Sequence, residues 1–246
     1  MNRSLQITTI LLTLCGVMMS NAVEVIAHRG IWLSESEQNT LQAIDRARID
    51  NIIHVEIDVR ITQEGHLVLH HDAELDGKKI SELSLTQVRQ RGSLPTLEEA
   101  VARAAEDINL LVDIKDEEAS LFPAIVKALD AFPELVCQSE SLHLLIALRE
   151  ANDGRPLLLV HKLKRSWFRA PAATELVAVL QKEKLQGITA KGRPFIDRAY
   201  VDAFTTQGLI FYVWTINSKK DQVHYLALGV SGIITDLPDQ LIQRQE

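Results

Sequence analysis

The stretch His54-Val55-Glu56-Ile57-Asp58-Val59-Arg60-Ile61 (HVEIDVRI, 54–61) carries β-branched apolar residues at Val55, Ile57, Val59 and Ile61, with His54, Glu56, Asp58 and Arg60 between them. A strand repeats every two residues, so both carboxylates share one face. In a parallel barrel the apolar set packs against surrounding helices, which turns Glu56 and Asp58 inward. Two acids crowded there repel each other and lose solvation unless a cation or a shared proton compensates them. The plainer alternative is an edge strand with a solvated face.

The run 108–115 (INLLVDIK) repeats the arrangement, with Leu110, Val112 and Ile114 on one side and Leu111, Asp113 and Lys115 on the other. It brings a third acid, followed two residues later by a cation. Three carboxylates suit a hard divalent ion, Mg²⁺ or Ca²⁺, and the lack of clustered cysteines argues against structural zinc. Asp113 and Lys115 would otherwise be a simple ion pair at a strand end.

Outward from these two segments, short β-rich runs alternate with helix-period segments. The expected strands are 23–28, 54–61, 108–115, 135–139, 156–161, 186–191, 209–216 and 230–236. Helices are expected at 40–50, 96–106, 120–131, 141–151, 172–183, 197–207 and 218–228, with a last short one in PDQLIQRQE. Eight strands in this order predict an α/β protein, a (β/α)8 TIM-type barrel, in one domain over 23–246. A doubly wound open sheet is the alternative topology. The segment GHLVLHHD (65–72) reads as a short inserted strand after the second barrel strand, following a turn at Glu64-Gly65.

Residues 1–22 read as a signal peptide: Arg3, an apolar run from Ile7 to Met19, then Ser20-Asn21-Ala22, with cleavage after Ala22. Leu14 is too bulky for a lipoprotein cleavage before Cys15. Export to the periplasm or medium is therefore expected, and Cys137, alone after maturation, leaves no internal disulfide. The formal charge of −7 argues against a nucleic-acid partner.

His28-Arg29-Gly30 ends the first strand and His71-Asp72 ends the inserted one, so two imidazoles reach the face where barrel enzymes place their chemistry. Alternation sends His70 and His71 to opposite sides, leaving one a spectator. His54, His66, His143, His161 and His224 read as structural. Three carboxylates and a divalent cation leave one negative charge, a phosphodiester adds another, and Arg29 with Lys115 restore neutrality. The guest is then a phosphodiester, with the two histidines exchanging protons with nucleophile and leaving group. Trp214 shares a face with Tyr212 and Ile216, which also fits plain core filling. Lys162–Arg169 (KLKRSWFR) reads either as a basic, aromatic lip that makes weak contact with an anionic lipid surface or as a solvated loop with two packed aromatics.

HRG (28–30), NTLQAIDRA (39–47), EIDV (56–59), TQEG (62–65), HD (71–72), LPTLEEAV (94–101), DIK (113–115), VWTIN (213–217) and GIITDLPD (232–239) resemble, in order and spacing, the glycerophosphodiester phosphodiesterase family. That family belongs to the phospholipase-C-like phosphodiesterase barrels, which include the sphingomyelinase D toxins. The resemblance implies hydrolysis of a small glycerophosphodiester to sn-glycerol 3-phosphate and an alcohol. By it, His28 and His71 are the acid–base pair, Glu56, Asp58 and Asp113 hold the metal, Arg29 and Lys115 bind phosphate, and Trp214 lines the headgroup pocket. It further implies that the nucleophile is the glycerol hydroxyl next to the phosphoester, with the roles of the two histidines unassigned. Three departures stand out. Gln38 replaces the family's glutamate in Pro-Glu-Asn-Thr, Asp113 replaces the usual glutamate, and AELDGKKISELS after HD lacks an Arg-Thr-Thr-type segment. The rivals are phospholipase-D-type cleavage of lysophospholipid or sphingolipid on the same barrel, and a non-catalytic exported barrel that binds metal or ligand.

Overall fold

The computed structural model describes residues 23–105, 107–151, 154–163 and 171–242. In chain order its strands are β1 (Glu24–His28), β2 (His54–Ile61), β3 (Leu67–Leu69), β4 (Glu74–Leu75), β5 (Lys78–Lys79), β6 (Asn109–Ile114), β7 (Val136–Ser139), β8 (Leu157–His161), β9 (Gly187–Lys191), β10 (Ile210–Trp214) and β11 (Gly232–Thr235). The helices are α1 (Leu41–Ile49), α2 (Leu85–Gly92), α3 (Leu97–Ala104), α4 (Phe122–Leu129), α5 (Leu142–Ala151), α6 (Ala173–Lys182), α7 (Arg198–Thr205), α8 (Lys219–Leu228) and α9 (Pro238–Ile242).

Among the described residues eight strands, β1, β2 and β6 to β11, run parallel and close on themselves, because β1 pairs with both β11 and β2. The barrel expected from the alternation is present. Its register places His28 opposite Glu56 and Asp58 opposite Asp113, so the polar residues of β1, β2 and β6 meet at one end. β2 pairs with β6 along most of its length, while its other edge is divided between β1 at residues 54–56 and the antiparallel β3 at residues 59–61.

Two apolar layers follow from the period-two pattern. Val55, Ile57, Val59 and Ile61 join the large core between barrel and helices, with Val112, Ile114, Ile188 and Phe211. Ile26, Leu111, Leu158, Tyr212 and Ile234 fill the barrel interior. Each fully buried side chain of this size is worth about 1.5–3 kcal/mol, so the outer layer is the main source of stability.

The inserted region is larger than the sequence reading allowed. The turn at Glu64-Gly65 and the strand β3 are present, but the polar stretch after His71-Asp72 folds into the β4–β5 hairpin through Asp76 and Gly77, both at positive φ. Helix α2, which was not expected, then follows behind a capping box formed by Ser84 and Gln87. Val68, Ile80, Leu83 and Val88 give the insertion its own small core. The strand expected at 209–216 stops at Trp214, and Ile216 packs in the outer core rather than beside Tyr212 and Trp214, because the chain turns after the strand ends. No helix among the described residues is long and apolar enough to cross a membrane. The expected signal peptide, 1–22, lies outside the described residues.

Candidate active site

At the end of β1 the chain must turn sharply. Gly30 adopts φ +80°, and a Cβ there would lie 2.6 Å from that of Ala43, so glycine is required on both conformational and spatial grounds. Arg29 before it is itself left-handed, at φ 58°. This turn aims the Arg29 N–H at Glu56 Oε2 (3.0 Å) and puts the guanidinium Nε 2.9 Å from Asp58 Oδ2. Arg29 Nη1 donates to Gln38 Oε1 at 2.6 Å, so the Gln38 amide helps hold the arginine.

Asn39, also left-handed, clamps Asp58 from both sides. Its Nδ2 donates to Asp58 Oδ2 and its Oδ1 accepts from the Asp58 N–H, each at 2.9 Å. Lys115 Nζ lies 3.3 Å from Asp113 Oδ2 and 3.5 Å from Asp58 Oδ1. The ion pair considered from sequence therefore exists, and it involves both acids.

Glu56, Asp58 and Asp113 are buried and each offers an oxygen within 4.8 Å of the others. Burial, then repulsion by Asp58 and Asp113, pushes Glu56 well above the usual carboxylate range. Burial likewise pushes Asp113 up to about 6 despite Lys115. Asp58 also feels burial, but Lys115, Arg29 and the Asn39 hydrogen bond outweigh it and hold this carboxyl below its ordinary value. Lys115 is raised, since its three carboxylate neighbours overcome burial. The protein's own cations thus satisfy one acid and leave two short of positive charge. An all-oxygen donor set of this kind fits a hard divalent cation.

His28 Nδ1 bonds to Asp236 Oδ1 at 2.6 Å, with Nε2 left as the ring nitrogen available to the pocket. Asp236 is held in turn by Asn217, whose Nδ2 donates to Oδ2 at 2.6 Å and whose Oδ1 accepts the Asp236 N–H at 2.9 Å. Burial alone would raise Asp236; the hydrogen bonds from His28 and Asn217 bring it below the ordinary range. His71 Nδ1 bonds to Asp72 Oδ1 at 2.8 Å, and its carbonyl accepts two hydrogen bonds from Arg60, whose Nη1 also reaches Lys115 O and Asp116. His70 does not line this pocket; its Nε2 lies 3.3 Å from Glu74 O, and it borders an adjoining groove that shares Arg29 and His71 with the pocket.

All eight site residues named from the sequence line one pocket of about 540 Å³, open at its mouth. Trp214 forms part of its wall, with its indole N–H on Thr189 O at 3.2 Å. Sequence reasoning missed Asp236, Asn217, Asn39 and Arg60 as site residues. Their signal was position, since Asp236 and Asn217 sit just beyond strand ends inside motifs already noted. Of the basic segment 162–169, Lys162 lines the pocket and pairs with Glu140 at 2.7 Å, while 164–169 lies outside the described residues.

The profile of the family described as glycerophosphoryl diester phosphodiesterase matches residues 28–240. A protein named glycerophosphodiester phosphodiesterase from Caldanaerobacter subterraneus subsp. tengcongensis is 28% identical over 245 residues, covering 89% of this chain and 96% of that protein. The crystal structure of a glycerophosphodiester phosphodiesterase from Thermotoga maritima superposes with a TM-score of 0.73 at 24% identity, covering 91% of this chain and 98% of the other. An Oleispira antarctica phosphodiesterase in complex with the product sn-glycerol-3-phosphate gives a TM-score of 0.73 at 20% identity, covering 89% and 95%. These two share the fold.

Proposed function

The chain belongs to the glycerophosphoryl diester phosphodiesterase family, and from that premise we propose that its pocket hydrolyses a small glycerophosphodiester to sn-glycerol 3-phosphate and an alcohol, with His28 and His71 as the proton-transfer pair. The observation that carries this reading is the pocket's composition. Two histidines, each bonded through Nδ1 to its own aspartate, share it with three buried carboxylates and with Arg29 and Lys115.

Glu56, Asp58 and Asp113 would hold the divalent cation, Mg²⁺ or Ca²⁺. When bound, it supplies Lewis-acid polarisation of a phosphoryl oxygen and offsets charge that develops there. Arg29 and Lys115 sit beside the triad and place two positive charges where the diester's anionic oxygens dock. The nucleophile is the glycerol hydroxyl next to the phosphoester, already tethered within reach, so ordering it costs little compared with capturing water. One histidine takes that hydroxyl's proton as its oxygen bonds to phosphorus. The other gives a proton to the departing alcohol oxygen, leaving a cyclic phosphate. Water then opens the ring with the two roles exchanged.

Purified protein incubated with glycerophosphocholine, and separately with lysophosphatidylcholine, tests the substrate class. Release of sn-glycerol 3-phosphate and choline from the former is expected, and cleavage of the latter alone overturns the reading. An analogue lacking the neighbouring hydroxyl should bind without turning over. Its hydrolysis at the parent's rate would show direct attack by water.

Export rests on the sequence of residues 1–22. Protein recovered from the periplasm or medium should begin at Val23. Retention in the cytoplasm with Met1 intact contradicts it.

A further inference from the structure

Trp214 is shared between the active-site pocket and an adjoining groove of about 970 Å³ beyond the ends of β9 and β10. The described residues lining that groove include Lys191, Arg193 and Lys220, with Asp221 as their one carboxylate. Asp221 accepts the Ser218 hydroxyl at 2.7 Å at the start of α8, and its single negative charge leaves the three cations in excess.

The wall between pocket and groove is built rather than incidental. Arg193 donates through Nε and Nη2 to the carbonyl of Lys162 at 3.2 and 3.0 Å, and the Tyr225 hydroxyl donates to the carbonyl of Arg193 at 3.3 Å. On the pocket side, Lys162 pairs with Glu140. On the groove side, Lys191 Nζ lies 5.6 Å from the centroid of the Trp214 ring. An aromatic face and a nearby carboxylate are the features that attract a quaternary ammonium. Here a lysine has taken each of them.

Resting on the hydrolase reading above, we propose that this groove is a subsite for an anionic leaving alcohol. The scissile phosphate sits in the pocket, the chain of the alcohol passes Trp214, and a second phosphate or other acidic group lies against Lys191 and Lys220. The preferred substrates are then glycerophosphodiesters whose alcohol bears negative charge, ahead of those with a neutral polyol and further ahead of those with choline. Coulomb attraction to fixed cations changes the affinity of the charged portion and leaves proton transfer at the scissile bond to the same histidines.

The test compares kcat/KM for bis(glycerophospho)glycerol, glycerophosphoglycerol and glycerophosphocholine. Cleavage at one diester of the first releases glycerophosphoglycerol, an anionic alcohol. Its advantage over glycerophosphocholine should be at least roughly tenfold, the size of one charge-assisted contact, and should shrink as salt is raised. The double variant Lys191→Gln, Lys220→Gln should lose most of that ratio, chiefly by raising KM for the anionic substrate. Because the ratio is taken within one preparation, a partly folded sample does not alter it. A wild-type preference for glycerophosphocholine, or the same ratio in the double variant, overturns the subsite while leaving the hydrolase reading intact. If no diester is cleaved, the hydrolase reading falls. Calorimetric binding of bis(glycerophospho)glycerol then decides the groove, and equal binding to both proteins overturns it.

Discussion

The two histidines of the pocket are built alike and supported differently. His28 and its aspartate are 18% and 21% exposed, whereas His71 and Asp72 are 43% and 77% exposed. His28 stands on a barrel strand, and its partner lies 208 residues away on the neighbouring strand's exit, fixed further by Asn217. His71 stands on the insertion beside a partner one residue away, and its firmest anchor is the pair of bonds from Arg60 to its own carbonyl. Barrel closure positions one imidazole through its side chain, and an added strand positions the other through its backbone. The same dyad therefore depends on distant contacts in the first case and on local ones in the second.

Removing either imidazole of this pair should show that both are needed before showing that they differ. His28→Ala and His71→Ala should each lower turnover by at least ~100-fold, the usual scale of general acid–base assistance. A variant that keeps near-normal turnover would remove that histidine from the chemistry. The contrast appears one step out. Asp236→Asn should cost roughly tenfold or more, because it frees the tautomer and orientation of His28. Asp72→Asn should cost less than about fivefold, since an exposed pair is worth under ~1 kcal/mol. Equal losses in pH–rate measurements on the two variants would erase the distinction drawn here.

The acid triad belongs wholly to the barrel side, and its electrostatics predict a stability effect. The folded state raises Asp113 to about 6 from an ordinary 3.8, so it holds a proton that the unfolded chain has already lost. That contribution is fully present below 3.8 and disappears as pH rises through 6. Metal-free protein should lose stability over this window, and the rise in melting temperature on adding Mg²⁺ or Ca²⁺ should grow across it. A metal shift independent of pH would separate Asp113 from the cation. The smallest effect is expected of His70→Ala: the His70 ring lies outside the active-site pocket against the Glu74 carbonyl, so its loss should leave turnover within about twofold, far from the general acid–base range. A dead His70→Ala beside a healthy His71→Ala would reverse the assignment.

How much of this was legible depended on sequence distance. The period-two faces of 54–61 and 108–115 exposed the triad because one residue of phase decides which side a side chain takes. The barrel was legible from strand and helix alternation. The bond between His28 and Asp236 was not, because it arises from β1 meeting β11, and register between distant strands is set by closure rather than by local pattern. Helix α2 was missed because its segment, LTQVRQRG, buries only Val88 and so shows little apolar period. The Ser84-to-Gln87 spacing was its available signal. Trp214 looked aligned with Ile216 only while the strand was assumed to continue.

Turnover of glycerophosphoglycerol before and after metal removal bears most directly on the reading of Glu56, Asp58 and Asp113 as the holders of a divalent cation. Protein stripped by chelator and dialysed should release no sn-glycerol 3-phosphate, and Mg²⁺ or Ca²⁺ should restore activity to wild type but not to Glu56→Gln or Asp58→Asn. Undiminished activity in excess chelator, with no metal in the protein, would contradict it.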